Sequence, residues 1–182
     1  MATIACDMAH IGDPSKNCDD VFSGYGRKVY AVVPEDLESD LAYDAKTNSF
    51  GTSAFTFKEG KGAYIFYCKK DSVQFTSTGV ENHSGYTNQL VFNIERDLDN
   101  AAVVCRRIKN RGDIIFLAEY REGGKYDVLW DPTSGTTFNN NYDSGTTADS
   151  DSGMSCTASC PICLFSKVYW EGTLTIASTT TE

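Results

Sequence analysis

The chain has 182 residues, 41% hydrophobic and 12% aromatic, which excludes a wholly disordered protein and suits one domain with a proper core. A net charge of −9 excludes non-specific adsorption to nucleic acid, because phosphate binding needs net positive surface. No run approaches the ~20 apolar residues that a membrane helix needs.

The first twenty residues, MATIACDMAHIGDPSKNCDD, lack the basic and apolar regions of a secretion signal, so a cytoplasmic origin is expected. Thiols there stay reduced, and an odd number of cysteines, seven, fits that better than a disulfide framework. Residues 1–27 read as an N-terminal arm of a single domain spanning 1–182. Residues 28–33 (KVYAVV) read as the first strand, stopped by Pro34. The acidic segment 35–44 has Leu37 and Leu41 four apart, as in a short helix or an ordered loop. Residues 53–58 and 63–68 (AYIFYC) are strand-like and split by the turn EGKG; residues 72–78 (SVQFTST) form another strand, and 80–86 a loop.

Residues 88–95 (NQLVFNIE) put Leu90, Phe92 and Ile94 on one face with period two. The period then changes. Asp97 or Asp99 caps a helix in which Leu98, Ala101, Ala102, Cys105 and Ile108 follow at helical spacing. Arg106, Arg107, Lys109 and Arg111 load its C-terminal end, where cations complement the dipole, and Gly112 ends it. Residues 114–118 (IIFLA) predict a central strand, Glu122-Gly123-Gly124 a hairpin turn, and residues 125–130 a strand with Tyr126, Val128 and Trp130 on one side. Residues 131–153 are rich in Ser, Thr, Gly, Asn and Asp, too long for an idle connector: a polar loop, an extended hairpin or a disordered stretch. Residues 164–176 supply one or two closing strands. This order predicts an antiparallel β-sandwich or barrel with one flanking α-helix.

Charge is uneven. Residues 1–44 carry nine acids against Lys16, Arg27 and Lys28, whereas Arg106, Arg107, Lys109 and Arg111 make a basic helix end. Solvated faces explain this; complementary docking surfaces in a self-assembly are the sharper reading.

Cys156, Cys160 and Cys163 follow the C-x3-C-x2-C spacing that radical enzymes using S-adenosylmethionine offer to an iron–sulfur cluster. The β-rich context and the nineteen residues after Cys163 leave no place for the α/β barrel such enzymes need. Structural zinc would need a fourth ligand from Cys6, Cys18, Cys68, Cys105, His10 or His83. A redox CPIC pair belongs at a helix start, whereas Pro161 looks like strand entry. Buried cysteine as a small hydrophobe is the plain reading, so no metal or cofactor is assigned, and metal ligation by Cys156, Cys160 and Cys163 is the runner-up. Asp149-x-Asp151-x-Gly153 matches only half of a calcium loop. With two histidines and no nucleophile elbow, P-loop or H-E-x-x-H, no catalytic residues are assigned and no enzyme is expected. Trp130, Trp170 and ten tyrosines admit a carbohydrate-binding face, though core packing accounts for them.

The run NQLVFNIERDLDNAAVVCRRIKNRGDIIFLAEYREGGKYDVLW, with DSGTTADSDSG before a last strand, resembles the tail tube proteins of double-stranded DNA bacteriophages, over roughly residues 50–176. The resemblance implies a β-sandwich subunit of a virion, self-assembling into stacked hexameric rings. A long hairpin from each subunit lines the lumen, through which DNA passes without specific binding. Its implied partners are copies of itself and other phage tail proteins, with no membrane. A head–tail connector or tail-end ring is the nearest alternative, and a zinc-stabilised or redox binding domain a further one.

Overall fold

The computed structural model describes residues 24–44, 46–81, 85–95, 98–131, 133–144 and 153–177. The first half supplies β1 (Tyr25–Val32), a 3-10 turn (Pro34–Asp36), β2 (Tyr43–Asp44), β3 (Ser49–Phe50), β4 (Tyr64–Tyr67), β5 (Gln74–Gly79) and β6 (Tyr86–Ile94). The second half supplies α1 (Leu98–Lys109), β7 (Ile115–Tyr120), β8 (Lys125–Leu129), β9 (Thr137–Asp143), β10 (Gly153–Cys163) and β11 (Val168–Glu171). A seven-stranded sheet runs β2-β3-β11-β8-β7-β1-β4, and a four-stranded sheet runs β5-β6-β10-β9. Every pairing between these strands is antiparallel except β11 with β3, which meet in parallel at Tyr169 and Ser49. The expected mainly β architecture with one helix is the fold observed.

The continuous apolar runs in β1 and β7 have a physical cause: both faces of the seven-stranded sheet are buried. Val29, Ala31, Phe116 and Ala118 point toward the four-stranded sheet, where Leu90, Phe92, Met154 and Cys156 meet them. Tyr30, Val32, Ile115 and Leu117 alternate to the other side, into a second core with Phe50, Phe55, Val128 and Trp170. In a strand, successive side chains take opposite faces, so a strand packed on both sides loses its polar alternation. α1 closes the inter-sheet core with Cys105 and Ile108.

The second core corrects one expectation. Residues 53–58 form turns with a single bridge, Phe57 to Leu37, and no strand. Their aromatic content serves packing: Phe55 lies 4.8 Å from Trp170, edge to face, under an irregular layer of chain. Burying one such ring contributes about 1.5–3 kcal/mol without any ladder hydrogen bond. Residues 25–27, expected in the arm, belong to β1; residues 1–23, with Cys6, His10 and Cys18, lie outside the described residues, as does His83.

Three further details stand close to expectation. α1 forms where predicted but ends at Lys109, before Arg111 and the expected stop at Gly112, and Ala102 is exposed while Val104 packs against the core in its place. Gly123 and Gly124, with φ of +74° and +72°, make the predicted tight turn between β7 and β8, a conformation that side chains bearing a Cβ resist. Residues 131–153 contain β9, which pairs with β10 as a long hairpin; Asp149 and Asp151 lie outside the described residues. Among the described residues no helix is long and apolar enough to cross a membrane.

Candidate assembly face and cysteine site

The four-stranded sheet is two-faced. On β10, Met154, Cys156, Ala158 and Cys160 are buried, while Ser155, Thr157 and Ser159 alternate outward. Register carries this split across the sheet. Ser155, Thr157 and Ser159 stand opposite Asn93, Val91 and Gln89 of β6 on one side, and Asn141, Asn139 and Thr137 of β9 on the other. Gln74, Thr76 and Thr78 of β5 extend the row beyond β6. The outward residues of these strands are therefore mostly hydroxyl and amide, with Val91 and, at the register shift, Ile162 as apolar residues and Asp143 as an acid; Lys69 lies at the end of the sheet beside Asn93, Asn141 and Asp143. Thr137 and Ser159 hydroxyls bond across it at 2.8 Å.

Both outer strands of this sheet are long, and only β9 has the helix α1 beside it. Sheet edges are normally blunted by Lys, Pro, bulges or brevity. The seven-stranded sheet follows that rule with β2 and β4, two and four residues long. β5 (QFTSTG) and β9 (TFNNNYD) run six and seven residues with no Lys, Arg or Pro. Among the described residues no strand lies outside either of them.

The predicted basic cluster divides. Arg106, Arg107 and Lys109 are exposed on α1 and make no ion pair among the described residues. Arg111 is instead paired at the surface. Its Nε and Nη2 donate to the two oxygens of Asp113 at 2.9 and 2.7 Å, and Nη2 lies 3.4 Å from Glu35. The Arg111 hydrogen bonds hold the Asp113 carboxyl below the usual range.

The predicted cysteine trio also divides, because residues four apart along a strand stand roughly 13 Å from one another. Cys156 faces the inter-sheet core, where its sulfur is 3.9 Å from that of Cys105. Contact with Cys105 and burial push the Cys156 thiol up, and burial raises that of Cys68 to about 12. These three cysteines are buried and free, as small hydrophobes. Cys160 and Cys163 instead form a disulfide across a register shift in β10, which corrects the expectation of reduced thiols throughout. Pro161 sits within that shift near the end of the strand rather than at a strand entry.

Asp131 completes this second site, with one ligand atom from each of Asp131, Cys160 and Cys163 all within 4.8 Å of one another. Its Oδ1 accepts from the Thr133 amide and hydroxyl and the Ser134 amide at 2.7–2.9 Å, and its Oδ2 accepts from the Leu164 amide at 2.9 Å. Burial opposes its charge, yet these donors hold the carboxyl below the usual range. The sequence signal was present as Asp-Pro-Thr-Ser, an Asx-turn pattern; the partner sulfurs, some thirty residues on, were not legible. A cleft of about 500 Å³, lined by Leu37, Asp40, Trp130, Asp131 and Thr133, opens beside it.

One buried acid escaped sequence reading altogether. Asp127 is 1% exposed and accepts from the hydroxyls of Tyr120, at 2.7 Å, and Tyr25. Lys167 Nζ lies 3.3 Å from its Oδ1 and donates to Tyr120 at 2.7 Å. Burial, then the Asp127 charge, pushes the Tyr25 hydroxyl well above its ordinary value. The network ties β1, β7 and β8 to the segment before β11.

Compared with protein-family models, curated proteins and solved structures, the chain matches none.

Proposed function

We propose that this chain is a structural subunit that assembles with copies of itself into rings, and that the rings stack into a tube of the kind its sequence resembles, a phage tail tube. The observation that carries the reading is the four-stranded sheet, with its polar face and two outer strands that have no strand neighbour among the described residues. β5 and β9 are separated by three antiparallel steps, so they run in opposite directions. Set beside β5 of a rotated copy, β9 continues the antiparallel alternation without a break. That is a head-to-tail contact, and it closes into a ring when the rotation closes.

Six copies, the number the resemblance implies, join six four-stranded sheets. At about 4.8 Å per strand their circumference is about 115 Å, and strand tilt widens it further. Side chains then leave a bore of roughly 25–30 Å or more, enough for a DNA duplex. The apolar face of the sheet is taken by the core, so the polar face would line the channel. Among the described residues the four strands of that face carry no Lys or Arg, so phosphate finds little counter-charge along them, and passing DNA would not be held.

Electron microscopy of the purified chain across a concentration series, under reducing conditions, tests the reading. Rings or tubes with a central channel are expected. A monomer persisting at high concentration overturns self-assembly. Rings that never stack would favour a connector or tail-end ring over a tube.

A further inference from the structure

We propose that Cys160, Cys163 and Asp131 form a redox-gated site for a thiophilic divalent cation, closed while the disulfide stands and able to take Zn2+ once it is reduced.

The backbone builds the pair. In a regular strand, residues three apart point to opposite faces. The register shift between Cys160 and Cys163 cancels that, and both sulfurs lie on the buried side, with Cα atoms 6.0 Å apart. Asp131 is fixed by four donors yet has no cationic partner among the described residues, although it is only 5% exposed. A buried carboxylate beside two sulfurs lacks a cation, and Oδ2, with a single donor, keeps a lone pair to offer.

The dimensions fit. Zn–S bonds of about 2.3 Å and Zn–O bonds of about 2.1 Å place tetrahedral ligand atoms roughly 3.5–3.8 Å apart. The three atoms already lie within 4.8 Å, so side-chain rotation closes the gap once the S–S bond is broken. The neighbouring cleft reaches Asp131 and gives a way in. A fourth position is left for water.

The chemistry balances with a dithiol as reductant. Two electrons and two protons pass from the dithiol to the S–S bond; the dithiol becomes a disulfide, and Cys160 and Cys163 become thiols. Zn2+ then displaces both thiol protons and binds two thiolates and the carboxylate. Ring assembly enters none of these steps, so this site stands or falls separately from the assembly reading.

The test loads ZnCl2 onto the full chain, reduced by a dithiol and desalted without air, and measures retained metal after challenge with a colorimetric chelator. One retained zinc per reduced chain is expected, with none on the oxidised chain and none on Cys160→Ser with Cys163→Ser. Asp131→Asn should bind at least about tenfold more weakly, and Cys156→Ser should bind as the unmodified chain does. Equal loading of oxidised chain, retention by the double serine variant, or no zinc on reduced chain overturns the proposal. Because Asp131→Asn removes an anchor and is at risk of misfolding, Co2+ on the unmodified chain provides a second readout. Its thiolate charge-transfer intensity should correspond to two sulfurs, and an intensity for one, three or four overturns the assignment.

Discussion

Asp127 shows how much a single buried acid organises. Two phenol hydroxyls and an ammonium converge on it from β1, β7 and the chain before β11. Replacing it with alanine leaves the Tyr25 and Tyr120 hydroxyls without their acceptor and Lys167 without its counter-charge. Asp127→Ala should lose about 3–5 kcal/mol of stability in urea unfolding, and adding Lys167→Met should recover part of it by removing the stranded cation. The buried thiols predict a second effect. An unfolded cysteine ionises near pH 9, whereas folded Cys68 keeps its proton to about 12. The folded value is raised, so this contribution is complete below pH 9 and lost as pH climbs toward 12. Stability should fall by about 1 kcal/mol per pH unit in that window, and Cys68→Ala should flatten the fall. A profile unchanged by that substitution would show that Cys68 is not its source.

On the proposed reading, the strands of the four-stranded sheet would carry the contact between copies within a ring. β10 is the longest, and small inward residues hid it in the sequence. Met154, Cys156, Ala158 and Cys160 alternate with Ser155, Thr157 and Ser159, a clean period of two without the bulky side chains that usually announce a strand. Cys156, Ala158 and Cys160 are small where Phe92 and Phe116 of the same core are large, and interdigitation of that kind fills the gap between sheets. The outer strands beside it lead to a test at the same scale. A lysine on an edge strand is a standard barrier to pairing with another chain. Thr76→Lys together with Asn139→Lys should leave circular dichroism and melting temperature within about 2–4 °C of the unmodified chain. Ring formation in sedimentation velocity should be abolished. Rings that survive both charges would mean that assembly uses another surface.

The charge pattern of the molecule as a whole bears on stacking. Arg106, Arg107 and Lys109 stay exposed and unpaired among the described residues, while Arg111 is committed to Asp113 and Glu35. If rings stack as proposed, the first three of these cations would be the ones available to an acidic surface of another ring. Arg106→Glu with Arg107→Glu should leave single rings intact, shorten or abolish tubes, and remove the salt dependence of tube length. Ion pairs at such a contact set register more than affinity, so single rings need not change. Stacking unaffected by the reversal would remove the basic helix end from the interface.

Local pattern by itself determined the elements whose cause is local. Leu90, Phe92 and Ile94 announced β6, the 98–109 periodicity announced α1, and Glu122-Gly123-Gly124 announced the turn, because period and turn chemistry act within a few residues. The mainly β class followed from their order. Only the tertiary structure decided what depends on distant chain. It turned the aromatic segment 53–58 into a lid on a second core, drew β9 out of the polar stretch 131–153, and split the three cysteines between two places. It also brought Asp131 to Cys160 and Cys163, and gathered Tyr25, Tyr120 and Lys167 around Asp127. Such contacts arise from burial and register between segments tens of residues apart, and a strand's partner, unlike its period, is not written in the strand.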